Sequence, residues 1–403
     1  MKQQPLIGQD ELTLPVGYRA AGVSAGIKAS GAKDVALLVS DAPAAMAGVF
    51  TTNQVPAAPV RWCRARLAER RPGRAVVANS GNANACTGAA GDQDARRMAE
   101  HAAAALGVEP HEVWVCSTGH IGDRLPLPQV ESGIGAAAAA LSRDGGHNAA
   151  RAIMTTDLRI KHWTVRLDVD GSPVTITGLA KGAGMIEPNM ATMLAFIMTD
   201  AAIEPAALQA SLAMAVNRSF NRITVDGDQS TNDTVLCLAN GQATAGGAWT
   251  PDQPVWVQWQ AALDEVCLQL ALKIVGDGEG ANKKITILVE GAADDADADR
   301  AARAIANSFL VKTSWAGREA NWGRLMDCLG YSGARVLADQ VAIWYDAHQA
   351  VQRGVAADTL YEQLQAVIQQ PTFTIRVNLN IGSGTAVVYT CEITEEYVRI
   401  NVV

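Results

Sequence analysis

Residues 181–196 read KGAGMIEPNMATMLAF and bring together an amine, two glycines, a proline and a hydroxyl. Lys181 is a charged donor, and Thr192 stands inside an apolar run of Met, Ala, Leu and Phe. An internal threonine is a weak nucleophile, because no residue near it in sequence can take its proton. The same run is also typical of a buried strand, in which Thr192 would be a β-branched filler. A catalytic role for Thr192 therefore requires further indications elsewhere in the sequence.

Chain scission between Ala191 and Thr192 would give this hydroxyl a base of its own. The new α-amine titrates near ~7.7–8.0, so it can act as a general base without a histidine. Attack of the Thr192 hydroxyl on the Ala191 carbonyl, followed by hydrolysis of the ester, would make the cut autocatalytic. Ala191 is small, and Gly182, Gly184 and Pro188 allow a sharp approach of the chain.

Small polar residues follow three predicted strands. AVVANS runs into GNANACTG (75–88), VWVCST into GHIG (113–122), and ITVDGD into QSTNDT (223–234). Small side chains let backbone N–H groups approach a ligand closely, although each loop alone is also compatible with an ordinary turn. Thr118 and Gly119 could supply a hydroxyl and an amide to a developing oxyanion. Together, the three loops favour a site.

The glycine-rich segment GDGEGANKK (276–284) lacks the spacing of a phosphate-binding loop. Asp277 and Glu279 would repel phosphate and suit an ammonium group better, with a solvated turn as the alternative. A Ser/His/Asp triad that uses Ser117 and His120 has no supporting motif. The six histidines show no HxxxH or HxH spacing, so we expect no metal site built on histidine.

Composition excludes several classes of protein. The chain has 403 residues, of which 49% are hydrophobic and 18% charged, below the roughly 25% charged fraction that is typical. A net charge of −8 argues against nucleic-acid and anionic-membrane partners. The N-terminus lacks the apolar core of a secretory signal, and no apolar run reaches the ~20 residues of a membrane span. The seven cysteines include no CxxC pair. We therefore expect a cytoplasmic protein.

Periodicity predicts a layered α/β fold with mixed or antiparallel sheets and no regular βαβ order. Strand patterns at 163–180 alternate on both sides of Asp170-Gly171, which predicts a hairpin, and 373–394 predicts a second hairpin that turns at GSG. Further segments are predicted to be helices (92–106, 202–216, 256–275 and 296–309) or strands (75–80, 113–118 and 285–291).

KGAGMIEPNMATMLAF closely resembles the self-cleaving segment of the ornithine acetyltransferase (glutamate N-acetyltransferase) family of arginine biosynthesis. Other stretches resemble further blocks of that family, in the family's order and over nearly the whole chain: GVFTTNQVPAAPV (48–60), NSGNANACTG (79–88), STGHIG (117–122), IMTTD (153–157), ITVDGDQSTND (223–233), GDGEGA (276–281), LVKT (310–313), NWGR (321–324), GYSG (330–333) and EEYVRIN (395–401).

The resemblance implies a four-layer α-β-β-α sandwich with a smaller C-terminal α/β domain. The structural units would be roughly 1–280 and 281–403. Scission would leave an α chain, 1–191, and a β chain, 192–403, assembled as α2β2.

The resemblance also implies a two-step acetyl exchange. Thr192 would attack the acetyl carbonyl of N2-acetylornithine, ornithine would leave, and the amine of glutamate would take the acetyl group. Thr118 and Gly119 would form the oxyanion hole. The family's substrate contacts carry over onto five positions: Thr155, Lys181, Thr192, Glu279 and Asn401. Thr156 fits the same block as Thr155. No cofactor is implied, and the use of acetyl-CoA as a co-substrate stays open.

Three departures from the family pattern leave alternatives open. Gln229 replaces a usual Thr, and Glu319-Ala320 stands where Asp-Pro usually precedes NWGR. The sequence ends at Val403, without the terminal Ser or Thr that contacts substrate in the family. A paralogous acyltransferase with another acceptor, an N-terminal-nucleophile amidase or aminopeptidase, and an uncleaved amino-acid-binding protein are the competing hypotheses.

Overall fold

The computed structural model describes residues 7–169, 171–187, 193–243 and 247–402. These residues form two compact units. Unit 1 consists of the described residues of 1–182, 188–221 and 229–274, and unit 2 of the described residues of 183–187, 222–228 and 275–403. Within the described ranges, no helix combines the length and the apolar character needed to cross a bilayer.

Unit 1 alternates strands and helices along the chain. Its strands are β1 (Ile7–Gln9), β2 (Tyr18–Val23), β3 (Val35–Phe50), β4 (Gly73–Asn82), β5 (Val113–His120), β6 (Lys161–Val169), β7 (Ser172–Lys181), β8 (Leu194–Thr199) and β9 (Thr234–Ala239). Its helices are α1 (Ala58–Glu69), α2 (Gly88–Leu106), α3 (Leu127–Ala139), α4 (Gly146–Ala152), α5 (Pro205–Arg218) and α6 (Val255–Val275).

The helix predictions in unit 1 are confirmed, with differences at the ends. Helix α5 begins at Pro205, because the Glu204 side chain accepts the Ala207 N–H as an N-cap and proline is tolerated in a first turn. Helix α2 ends at Leu106 as predicted, and its C-cap Gly107 has a φ of +68°. It begins at Gly88, about one turn before residue 92, where the prediction placed its start.

Strand β3 joins two sheets, because its two halves pair with different neighbours. The half 35–39 pairs with β2 and β4, and the half 45–50 pairs with β9. The strand order is β1-β6-β7-β8-β9-β3-β4-β5, with β2 on β3. The hairpin predicted at 163–180 is confirmed, because β6 and β7 are antiparallel with Val169 opposite Ser172.

Apolar side chains point to both faces of each sheet in unit 1, so both faces are buried. The two sheets and the helices on their outer faces form four layers. In β3, Ala36 and Leu38 point into the core that the two sheets share with β7, β8 and β9. Val35 and Leu37 point the other way, against α2 and α3. On the outer face of the second sheet, Gly178 of β7 lies directly against α6, and α5 packs on β3. The predicted α-β-β-α sandwich is confirmed.

Unit 2 is a second α/β layer with its own core. Its strands are β10 (Lys284–Ala292), β11 (Ala342–Tyr345), β12 (His348–Gln352), β13 (Val355–Ala356), β14 (Thr372–Asn378) and β15 (Gly384–Thr390). Its helices are α7 (Asp295–Asn307), α8 (Phe309–Ala316), α9 (Trp322–Tyr331), α10 (Tyr361–Ile368) and α11 (Glu395–Asn401).

The hairpin predicted at 373–394 is wrong. Strand β10 lies between β14 and β15, parallel to the first and antiparallel to the second. The GSG turn therefore connects strands that pair with the same central strand rather than with each other. Both strands alternate as a hairpin would, and the local pattern contains no sign of the inserted strand.

Candidate functional site

In unit 1, a buried lysine reaches the end of a neighbouring strand. Lys181 is the last residue of β7, and its ammonium donates to the Thr118 hydroxyl in β5 across 3.2 Å. Both side chains are buried, at 2% exposure each. A hydroxyl that accepts from an ammonium keeps its own hydrogen for another acceptor. The pair therefore presents one positive charge and one directed O–H at the same point.

Gly119 follows Thr118 where the chain passes very close to β4. Its φ is +134°, a region that favours glycine. A Cβ at this position would lie 2.3 Å from the Gly81 carbonyl carbon and 2.5 Å from the Asn82 nitrogen. No other residue fits without moving the backbone, so glycine is a geometric requirement of the Thr118-Gly119 turn.

Asp157 organises the charges around Lys181. Its Oδ1 accepts from the Lys161 ammonium at 2.6 Å and from the Gly182 N–H at 2.7 Å, and both of these contacts are buried. Burial alone raises the pKa of Asp157, but the charges of Lys181 and Lys161 together with the Gly182 amide lower it to about 2. The Lys181 ammonium thus adds a positive charge beside an aspartate that already pairs with Lys161, and such a charge suits a substrate carboxylate.

Thr155 lies at the edge of the same cluster. Its N–H donates to Asp157 Oδ2 across 3.0 Å, and the residue is half-buried, whereas Thr156 is exposed. This contact brings the Thr155 position near the Asp157 carboxylate and leaves Thr156 on the surface.

The three polar loops expected from the sequence meet in unit 1. Asn232 donates to the Ala83 carbonyl at 2.7 Å and to the Ser117 carbonyl at 2.8 Å, and so joins all three. Ser117 in turn donates to Asn79 across 2.6 Å. Each of these side chains is buried. The network fixes the backbone directly before Thr118, and a preorganised oxyanion site requires such a fixed backbone.

Asp233 is a buried acid that the sequence analysis did not single out. Its side chain is fully buried, and Oδ1 accepts the Met193 N–H at 2.7 Å. Burial raises the pKa of Asp233 well above its ordinary value, and the Met193 amide, the charge of Lys181 and the Thr51 hydroxyl offset this only in part. An acid directly before the strand TVLCLA, which is apolar after its first residue, was the available sequence signal.

In unit 2, Glu279 and Asn401 are in contact. The Asn401 side chain donates to Glu279 Oε2 across 2.6 Å, and Glu279 is only 8% exposed. Gly184 lies against the same carboxylate, since a Cβ there would be 2.3 Å from its carbon and from Oε2. The backbone also holds Glu279, whose N–H donates to the Ala183 carbonyl at 2.9 Å. The carboxylate is thereby fixed by an amide and a glycine.

Asp226 holds the segment 183–187 inside unit 2. Its carboxylate accepts the Met185 N–H at 2.6 Å, the Ile186 N–H at 2.8 Å and the Tyr397 hydroxyl at 3.2 Å. Met185 has a φ of +56°, a left-handed conformation that is unusual for a non-glycine residue. Glu187 is anchored as well, because Asn307 donates to both of its carboxylate oxygens at 2.7–2.8 Å.

Ala191 and Thr192 lie outside the described residues. The strand predicted in this region is confirmed from Leu194, since β8 is buried at each of its positions. In the described part of the chain, no group of three or more His, Cys, Asp or Glu side chains could hold a metal ion.

Comparison with known sequences identifies the family of the chain. The sequence model of the ArgJ family matches residues 19–403. The chain belongs to the ArgJ family. All the described site residues, from Thr118 to Asn401, lie inside the matched range.

Individual ArgJ relatives match over almost their full length. The arginine biosynthesis bifunctional protein ArgJ of Symbiobacterium thermophilum is 49% identical over 97% of both chains. That of Geobacter sulfurreducens is 47% identical over 96% of this chain and 98% of its own. Among solved structures, ornithine acetyltransferase of Mycobacterium tuberculosis, complexed with ornithine, is 45% identical over 46% of this chain and 98% of that chain, with a TM-score of 0.43.

Proposed function

We propose that this protein transfers the acetyl group of N2-acetylornithine to glutamate, through an acetyl ester on Thr192, as an enzyme of arginine biosynthesis. The observation that carries the proposal is the likeness to arginine biosynthesis bifunctional proteins at 49% identity over 97% of both chains. The charges and donors around Thr118 and Glu279 are of the kinds that the reaction needs.

Self-cleavage between Ala191 and Thr192 is part of the proposal. The Thr192 hydroxyl adds to the Ala191 carbonyl, the C–N bond breaks, and the hydroxyl proton passes to the leaving nitrogen. Water then hydrolyses the ester, which releases the Ala191 carboxylate and restores the hydroxyl beside a free α-amine. That amine takes the hydroxyl proton when Thr192 attacks the acetyl carbonyl of the substrate.

Thr118 and Gly119 are proposed to stabilise the oxyanion. The Thr118 hydroxyl oxygen already accepts a hydrogen bond from the Lys181 ammonium at 3.2 Å. The hydroxyl hydrogen can therefore be donated to a developing negative charge. Removal of one such donor typically costs about 10²–10³ in kcat.

Two further residues of unit 1 are proposed to contact substrate. The Lys181 ammonium is proposed to pair with the α-carboxylate of acetylornithine and then of glutamate. Thr155 is proposed as a second contact, because its amide lies against Asp157 at 3.0 Å while its neighbour Thr156 is exposed.

Glu279 is proposed to bind the side-chain ammonium of acetylornithine, with Asn401 as a neighbouring contact. The Asn401 amide, 2.6 Å from Oε2, fixes the rotamer of the carboxylate, so little entropy is lost when a cation binds. Because the Asn401 amide is neutral, its hydrogen bond does not compensate the charge of the carboxylate, which can still attract an ammonium group.

The two fragments are proposed to stay together after scission, as α2β2. Strand β7 of the 1–191 fragment pairs with β8 of the 192–403 fragment, and β3 pairs with β9 in the same way. In unit 2, residues 185 and 186 of the first fragment bind Asp226 of the second. Breaking this assembly would expose sheet edges and core, so the cut chain is expected to separate only on denaturation.

The proposed compartment is the cytoplasm, which suits seven cysteines that are all free thiols.

The test compares two fates of the acetyl group. Purified protein is incubated with N2-acetylornithine, with and without glutamate, and both ornithine and N-acetylglutamate are measured. The proposal predicts a single ornithine per Thr192 without glutamate, as the acetyl ester forms, and continued ornithine release only with glutamate, matched by the N-acetylglutamate formed. Equal ornithine release without glutamate would instead assign an amidase. Thr192→Ala should abolish both products, and an unchanged rate in that variant would contradict the proposed nucleophile.

A further inference from the structure

One buried aspartate holds a turn between β2 and β3. The Asp34 side chain is fully buried, and its carboxylate accepts three backbone N–H groups, from residues 25, 27 and 28, at 2.6–3.1 Å. The Asp34 carbonyl also accepts the Ser80 N–H at 2.8 Å, which ties the turn to β4. The backbone of Lys28 is therefore fixed against the sheet, independently of what its side chain contacts.

The Lys28 side chain is half-buried and ends on two carbonyl groups. Its ammonium donates to the Met154 carbonyl at 2.6 Å and to the Lys33 carbonyl at 2.8 Å. An ammonium has three N–H donors, and carbonyl oxygens are neutral acceptors. The two contacts therefore hold the ammonium in place, leave its net charge uncompensated and leave one N–H for an anion.

Both surroundings of Lys28 border the candidate site of unit 1. Its stem lies against β4, because a Cβ on Gly81 would be 3.2 Å from Lys28 Cγ. Gly81 in turn lies against Gly119, whose Cβ would be 2.3 Å from the Gly81 carbonyl carbon. At the other end of the side chain, Met154 directly precedes Thr155. Lys28 is thus one residue away from the oxyanion turn and from a proposed substrate contact.

The second cation of this site is close enough to act on Lys28. Burial lowers the pKa of Lys28, the charge of Asp34 opposes this effect, and the charge of Lys181 lowers the pKa further. The nearby acids are already bound to other donors, Asp34 to three amides and Asp157 to the Lys161 ammonium. An anion that binds near both lysines would relieve their mutual repulsion.

The two proposed substrates differ in the charge at the end of their side chains. N2-acetylornithine carries one carboxylate and a side-chain ammonium, whereas glutamate carries two carboxylates. Lys181 is proposed to pair with the α-carboxylate of either substrate, and Glu279 with the ammonium. The side-chain carboxylate of glutamate would be repelled by Glu279, so it needs a cation of its own.

We propose that Lys28 binds the side-chain carboxylate of the acceptor glutamate and so selects a dicarboxylic amino acid over a neutral one. The proposal rests on the proposed function, because it needs glutamate to be the acceptor. The Lys28 ammonium donates its remaining N–H to a carboxylate oxygen. Acetylornithine brings no carboxylate on its side chain, so Lys28 acts only in the second half of the exchange, when the acetyl group passes to glutamate.

The test separates the two halves of the exchange in Lys28→Met. With N2-acetylornithine alone, the rate at which the first ornithine is released should stay within about twofold of the wild type. With glutamate as acceptor, KM for glutamate should rise about tenfold or more, because a charged hydrogen bond is lost. A purely structural role of Lys28 at the Met154 carbonyl would instead slow both halves, since Thr155 follows directly.

Glutamine is the matched acceptor, because it keeps the shape of glutamate and replaces the side-chain carboxylate by a neutral amide. The ratio of kcat/KM for glutamate to that for glutamine measures the preference for the charge. Lys28→Met should lower this ratio about tenfold or more, and Lys28→Arg, which keeps the charge, should restore most of it. If Lys28→Met does not fold, Lys28→Gln replaces it, since its amide can still donate to the Met154 carbonyl.

Lys33→Met is the matched control. Lys33 lies on the same turn, is also half-buried, and its ammonium donates to the Gly22 carbonyl at 2.8 Å. Its loss removes the same charge from the chain and should leave both the ratio and the release of the first ornithine unchanged.

A ratio that is unchanged in Lys28→Met, or an equal loss in both halves of the exchange, would overturn the role of Lys28. Either result leaves the proposed function intact if the wild type transfers acetyl groups from acetylornithine to glutamate. A wild type that passes the acetyl group to water, or to glutamine as readily as to glutamate, would instead overturn the proposed acceptor.

Discussion

The Lys181 ammonium nitrogen lies 3.2 Å from the Thr118 hydroxyl oxygen and joins the ends of β7 and β5. The contact places a positive charge beside the turn proposed to stabilise the oxyanion. Both side chains are buried, so the interaction is little weakened by solvent. The roles proposed for these two residues, substrate binding and transition-state stabilisation, therefore meet at this pair.

Lys181→Met should test this pair directly. The substitution keeps the length of the side chain and removes the charge, so we expect kcat/KM for acetyl transfer to fall by about 10²–10³. Steady-state kinetics with N2-acetylornithine and glutamate measure the effect. Lys161→Met is the control, because Lys161 also interacts with the Asp157 carboxylate but is not proposed to contact substrate. Equal losses in the two variants would assign Lys181 a structural role only.

Asp157 should make stability depend on acid pH. Its folded-state pKa of about 2 lies below the ordinary 3.8. Its contribution is therefore fully present above 3.8 and is lost as the pH falls toward 2. Asp157→Asn should lower the free energy of unfolding by about 2 kcal/mol at pH 7, with a smaller difference at pH 3.

Urea unfolding in the Thr192→Ala background measures the Asp157 effect on a single, uncut state. Asp144→Asn is the control, since this residue is exposed and its loss should change the free energy of unfolding by less than about 0.5 kcal/mol. A difference for Asp157→Asn that is as large at pH 3 as at pH 7 would contradict the charge pairing.

Gly184→Ala should displace Glu279. The added methyl group would lie 2.3 Å from the carboxylate carbon, so the carboxylate must move away from Asn401. We expect the KM for N2-acetylornithine to rise about tenfold or more, because the ammonium loses a fixed partner. Gly330→Ala, at an exposed helix position where a Cβ meets nothing within 4 Å, is the control and should leave KM unchanged. An unaltered KM in Gly184→Ala would contradict a role of Glu279 in substrate binding.

Much of the fold could be predicted from local patterns, and the exception has a specific cause. The β6/β7 hairpin is encoded by alternation on both sides of a two-residue turn, so sequence neighbours are also partners. Strands β14 and β15 alternate just as clearly, but β10, some eighty residues earlier in the chain, separates them. Pairing over that distance depends on the core that the strands share, and the alternation of residues within one strand does not reveal it.

Residue type alone suggested chemistry at some positions of the candidate site. Thr118, Gly119, Lys181 and Glu279 carry a hydroxyl, a flexible backbone or a charge next to glycines. Asp157 and Lys161 were missed, because an acid and a lysine four positions apart usually form an exposed pair of little consequence. Their importance comes from burial, with side-chain exposures of 0% and 1%, and burial is a property of the tertiary structure.

The central claim is that Thr192 becomes an N-terminal nucleophile that carries the acetyl group. Intact mass of the purified protein, before and after incubation with N2-acetylornithine alone, tests it most directly. We predict two masses, for residues 1–191 and 192–403, and an acetyl adduct only on the fragment that begins at Thr192. A single mass for the uncut chain in fully active protein, or an adduct on the 1–191 fragment, would contradict the account.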